Sequence, residues 1–177
     1  MLEVLPKRFG KYGLSLHPDK TRLVPFQRPS GKPPAQGPED GNRPGTFDLL
    51  GFTHYWALSR KGNWVVKQRT AQGRLSRAIK TIAQWCRLNR HQPIAEQHRT
   101  LSQKLRGHFV NYGITGNSTA LTRLRVAVTE VWRKWLARRR RCGLLPRVVF
   151  KRLLKHYPLP PPLAVHSVCR LVGEPAT

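Results

Sequence analysis

The spacing of apolar positions changes character near Thr70. Ahead of that point they come in short alternating runs broken by turn residues, the signature of β-strands. Tyr12-Gly13-Leu14-Ser15-Leu16 and Thr21-Arg22-Leu23-Val24-Pro25-Phe26 flank His17-Pro18-Asp19-Lys20, which predicts a hairpin. Residues 27–46 hold Pro29, Gly31, Pro33, Pro34, Gly37, Pro38, Gly41, Pro44 and Gly45 without periodicity, as expected of a flexible surface loop. Phe47 to Leu58 reads as one aromatic-rich strand. Ser59 to Asn63 turns the chain, with Gly62 supplying the permissive backbone, into a further strand from Trp64 to Arg69.

Beyond Thr70 the apolar residues step by three and four. Leu75, Ala78, Ile79, Ile82 and Cys86 line one helical face, with Arg77, Lys80 and Gln84 opposite. Pro93 opens a second helix carrying Leu101, Leu105, Phe109 and Tyr112. Gly113 and Thr115-Gly116-Asn117-Ser118 end it, and Asn117 or Ser118 is suited to cap the next. A third helix follows through Leu121, Leu124, Val128, Val131 and Trp135, with Trp132 alongside, Arg123, Glu130 and Lys134 on the far side, and Arg138 to Arg141 at its end. A shorter fourth helix uses Val149, Phe150, Leu153 and Leu154 after Pro146, and the Pro-rich stretch after Pro158 is irregular. The expected class is α+β: β-hairpins over 1–69, a basic helical bundle over 70–167 and a tail at 168–177. Four or five strands without a covering helix leave one face and both edges open, like a sheet cut from a larger one.

Charge then narrows the function. Between Arg60 and Pro160 stand 24 lysines and arginines against Glu96 and Glu130, which is +22 of the chain's +25. Cations at that density repel and destabilise the compact state unless a polyanion neutralises them. An anionic membrane surface or mere solubility would also use such charge. Nucleic acid fits better, because phosphate contacts release counterions and aromatic residues interleave the basic ones. The candidate contacts are Arg74, Arg77, Lys80, Lys104, Arg106, His108, Asn111, Tyr112, Arg123, Lys134, Arg138, Arg139, Arg140 and Arg141.

Other chemistry is sparse. At 39% hydrophobic with 5 Trp, the chain is not a disordered basic tail. Cys86, Cys142 and Cys169 are isolated, so neither a disulfide framework nor a zinc site is expected, and a reducing cytoplasmic setting fits. No apolar run approaches membrane-spanning length, and no secretory h-region is visible. His108 and Tyr112 stand four apart without a carboxylate, which points to packing or RNA contact rather than to acid–base catalysis. Trp132 and Trp135 are expected in the core. Trp56 and Trp64 suit either base stacking or cross-strand packing.

Four separated motifs carry a family resemblance. Gly13-Leu14-Ser15-Leu16-His17-Pro18-Asp19-Lys20-Thr21 and Phe47-Asp48-Leu49-Leu50-Gly51-Phe52-Thr53 resemble consecutive palm motifs of group II intron reverse transcriptases. Leu105-Arg106-Gly107-His108-Phe109-Val110-Asn111-Tyr112-Gly113-Ile114-Thr115-Gly116-Asn117 resembles the signature of that family's maturase-specific domain. Tyr157-Pro158-Leu159-Pro160 with Val165-His166-Ser167 is similar to the end of many bacterial members. The motifs occur in the family's order over about residues 2–167.

The resemblance implies the end of a palm, a thumb and a maturase domain. Implied partners are intron RNA and an RNA/DNA template–primer, in the service of splicing and retromobility. It places Lys20 near the incoming nucleotide, although on its own residues Lys20 is a turn lysine in solvent, and it makes Leu50-Gly51-Phe52 resemble the primer grip. The family's polymerase site holds magnesium on a Tyr-Ala-Asp-Asp segment and an upstream aspartate. This chain departs there, having only Asp19, Asp40 and Asp48, none adjacent. No cofactor, metal site or polymerase activity is therefore expected of it alone. The alternatives are one half of a split reverse transcriptase completed by a separate fingers/palm chain, and the remnant of a decayed gene.

Overall fold

Two tight turns generate the sheet. At Ser59–Asn63, Gly62 takes φ +79°, Ser59 N–H donates to the Asn63 carbonyl at 2.8 Å, and Asn63 N–H donates to Ser59 Oγ at 3.1 Å. This folds β3 (Trp64–Thr70) antiparallel onto β2 (Phe52–Leu58), in register from Phe52 opposite Thr70 to Leu58 opposite Trp64. The second turn corrects the single strand expected over Phe47–Leu58. Leu50 and Gly51 have φ of 51° and 87°, and two successive positive values are the mark of a two-residue hairpin turn. β1 (Phe47–Leu49) thereby folds back on β2.

The computed structural model describes residues 4–17, 21, 23–29, 45–139, 143, 145–164 and 166. Lys20, Arg140, Arg141, Cys142, most of the 27–46 loop and the 168–177 tail lie outside the described residues. Among those described, the hairpin expected over residues 12–26 is not formed. A seven-residue helix, α1 (Val4–Gly10), precedes an irregular path, and Pro25 cannot donate to a strand ladder. Phe26 still reaches the sheet, edge-on to Phe47 and stacked on Trp56 at 5.3 Å between ring centres. The described sheet therefore has three strands, ordered β1-β2-β3, rather than four or five. Every residue of β2 is only half-buried.

The helical half follows its sequence pattern closely. The helices are α2 (Gln72–Leu88), α3 (Ile94–Tyr112), α4 (Ser118–Ala137) and α5 (Arg147–His156). One core joins Ile82 and Cys86, Leu101 and Leu105, and Leu121, Leu124 and Val128, with Phe150 and Leu159 closing it. Each such side chain contributes about 1.5–3 kcal/mol through burial. Trp132 is 0% exposed, and its Nε1–H donates to Gln97 Oε1 at 2.9 Å. The Gln97 amide nitrogen in turn reaches the carbonyls of Asn89, Arg90 and Gln92 at 2.9–3.1 Å, so a single amide ties the α2–α3 connection to the core of α4. Burial pushes the Cys86 thiol up to about 12, leaving it neutral and inert.

Sheet and bundle meet at a stiff joint. Only Ala71 separates β3 from α2. Asn117, one of the two residues expected to cap α4 with Ser118, does stand at the N-cap position, but its side chain turns inward rather than capping. Oδ1 accepts from Thr70 N–H at 2.9 Å, while Nδ2 donates to Thr70 Oγ1 at 2.7 Å and to the Tyr112 carbonyl at 2.8 Å. His166 returns to the same corner: its N–H donates to the Gly113 carbonyl, and its carbonyl accepts from Thr115 N–H, forming a short parallel bridge.

Candidate nucleic-acid interface

Because the apolar stripes of α2, α3 and α4 point into one core, their cations have only the outer faces to occupy. Arg74, Arg77, Lys80, Lys104, Arg106, Arg123, Lys134 and Arg138 are all exposed, and so is Asn111. Carboxylates do little to offset them. Glu130 pairs with Arg133 one turn away at 3.0 Å, a solvent-screened contact of small worth.

Aromatic rings hold three cations at the surface. Lys104 Nζ lies 5.9 Å from the Trp85 ring centre, the Arg138 guanidinium 4.7 Å from Trp135, and the Arg69 guanidinium 5.2 Å from Tyr55. Such contacts orient a charge without neutralising it. They also refine the expectation for Trp135, which packs against the core but is only half-buried and borders a surface groove with Arg87, Arg90 and Arg138. It lies three residues beyond Trp132 on the same side of α4, at the rim of the core: it packs against the buried cluster and borders the groove as well. Arg139 differs from its neighbours: it donates to the carbonyls of Arg90 and Gln92, and burial lowers its pKa. Its donors are committed to the α2–α3 connection, which makes it a structural residue.

Two motifs far apart in sequence come together where the first hairpin meets α3. Gly51 sits directly over Tyr112, and a methyl group at Gly51 would lie 2.9 Å from Tyr112 Oη. Phe52 packs on the same ring at 5.2 Å, and His108 stacks on it at 4.4 Å. His108 Nε2 has no hydrogen-bond partner among the described residues, and burial lowers the imidazole pKa, which keeps the ring neutral near pH 7. A neutral, stacked imidazole is a packing group. Leu50, at the tip of this corner, is 87% exposed with a positive φ.

Trp56 takes the packing role through its stack with Phe26. Sequence reasoning missed Arg69 and Tyr55 as a pair; their diagonal placement across β2 and β3 becomes readable only once the register is known. It also missed the inward turn of Asn117, since Asn before a helix ordinarily signals a cap.

Among the described residues no group of three His, Cys, Asp or Glu side chains could hold a metal ion, and Asp48 instead accepts from Thr53 Oγ1 at 2.6 Å. No described helix is long and apolar enough to cross a membrane. No protein-family model, curated protein or solved structure matches this chain.

Proposed function

We propose that this chain is an RNA-binding module of the group II intron reverse transcriptase/maturase kind, gripping structured intron RNA and template–primer through backbone phosphates. The observation that supports it most is the division of the helices: one apolar face each in a shared core, and outer faces populated by exposed lysine and arginine with scarcely a carboxylate. On this reading the lysines and arginines position RNA by charge and shape rather than by reading bases. On the same reading the chain alone binds without polymerising, because its three aspartates, none adjacent in sequence, lack the family's paired pattern for the two-metal clamp that phosphoryl transfer needs.

The test is a salt titration of RNA binding. With about 6–10 phosphates engaged, affinity should fall roughly three to five decades between about 50 and 200 mM salt for duplex-like sites. A flat salt response, or equal binding to a neutral polymer, would refute the proposal. Template-directed DNA synthesis by the pure chain would refute the binding-only part.

One observation favours a companion reading. A three-stranded sheet with no buried residue in β1 or β2, although touched by α3, α4 and Phe26, keeps surface in reach of further structure. We infer that the sheet is completed by fingers/palm structure, supplied in the split-enzyme version by a separate chain. Co-expression with such a chain should bury β2 and slow its amide exchange; unchanged exchange would remove this reading.

A further inference from the structure

The seam between the β2–β3 hairpin and α4 contains a cleft of about 340 Å³. Thr53 and Tyr55 of β2, Arg69 of β3, and Thr119 and Arg123 of α4 line it, above the buried Asn117. Its chemistry suits an anion: two arginines line one space with the hydroxyl-bearing Tyr55 and Thr119, while the Thr53 hydroxyl donates to Asp48. Among the described residues neither Arg69 nor Arg123 forms an ion pair. The cation–π contact with Tyr55 orients Arg69 while leaving its charge uncompensated. Asp48 stands nearby on the sheet, exposed and hydrogen-bonded to Thr53, one carboxylate against two arginines.

The cleft is also pre-shaped. Arg69 directly precedes Thr70, which is doubly hydrogen-bonded to Asn117, and Arg123 lies on the helix that starts just after Asn117. The backbones that carry the two cations are therefore fixed by one buried joint, and the Tyr55 contact orders Arg69, which reduces the ordering left for a ligand to impose.

We propose that this cleft seats a single backbone phosphate of a bound RNA strand, gripped jointly by Arg69 and Arg123. The inference rests on the RNA-binding reading and fixes one contact point within it. A strand held there crosses the seam and locks hairpin to bundle.

A double-mutant cycle on the full chain, read by binding of a short fluorescent single-stranded RNA at about 100 mM salt, tests it. Arg69→Gln and Arg123→Gln should each weaken binding about tenfold, the worth of a charged hydrogen-bonded contact. The double variant should lose little more than either single, because both arginines serve the same phosphate. Arg69→Lys, which keeps the charge and loses the fork, should fall between wild type and Arg69→Gln. Arg60→Gln, at the far end of the hairpin, should cost under about threefold. If Arg69→Gln and Arg123→Gln match Arg60→Gln, or if their losses multiply to about a hundredfold, the shared seat is wrong while RNA binding stands. If the wild-type chain does not bind RNA, both readings fall together.

Discussion

Asn117 and Thr70, 47 residues apart, exchange two hydrogen bonds at 2.9 and 2.7 Å in a site where Asn117 is 0% exposed. A third bond, to the Tyr112 carbonyl, uses the remaining amide hydrogen. Asn117→Ala would strand a buried N–H, a hydroxyl and a carbonyl at once. Since one unsatisfied buried group costs about 1–3 kcal/mol, a loss of about 2–4 kcal/mol is expected in urea denaturation. Asn117→Asp should be at least as damaging, because its carboxylate would face the Tyr112 carbonyl with nothing to donate.

Trp132 offers a second measure of the same framework. Trp132→Ala should cost about 3–5 kcal/mol as a large core deletion. Trp132→Phe should cost less, about 1–3 kcal/mol, because the ring largely remains while Gln97 Oε1 loses its donor. A change under about 1 kcal/mol for the alanine variant, with a large loss of RNA affinity, would move Trp132 from the core to the binding surface.

The first hairpin turn should respond in opposite directions at its two residues. Leu50 holds a left-handed backbone at an exposed tip, so Leu50→Asn should stabilise the chain by about 1 kcal/mol. Gly51→Ala meets both a positive φ and the Tyr112 hydroxyl, and should destabilise by about 1–3 kcal/mol. If the tip grips nucleic acid as the primer-grip resemblance implies, Leu50→Asn should also weaken RNA binding while raising Tm. Thermal melts alongside affinity measurements separate the two effects.

His108 gives the fold an acid limb. Burial holds its folded-state pKa below the ordinary 6.5, so the unfolded chain takes up the proton more readily. The stability it contributes is complete above pH 6.5 and declines as pH falls through its folded-state pKa. His108→Gln should flatten this part of the stability–pH curve, as followed by denaturant midpoints.

The helical half was legible because its signals are local and agree with one another. Leu121, Leu124 and Val128 announce a face, Pro93 and Pro146 announce starts, and burial follows. The sheet was less so. Leu50-Gly51 sits inside an unbroken β-favouring run, and a turn with a leucine at positive φ goes against residue preference. The hairpin expected over residues 12–26 rests on alternation and a His17-Pro18-Asp19-Lys20 turn signal, and neither can tell a paired strand from an extended segment with no neighbour to pair with. On the helical surface, sequence located the exposed cations but not their division of labour. Arg138 rests on Trp135, whereas the adjacent Arg139 is bound into the α2–α3 connection, and only the course of the backbone separates the two.

The one-residue link at Ala71 makes the β2–β3 hairpin a lever. Seven residues of strand reach about 23 Å from the joint. The Thr70–Asn117 bonds sit at its fulcrum, and the Ser59–Asn63 turn, with Arg60 and Lys61, rides at the free end. A tilt of about 5° at the fulcrum carries those two charges about 2 Å, on the order of the change that makes or breaks a hydrogen bond. How far the hairpin tip swings is thus decided at its base, by one buried asparagine.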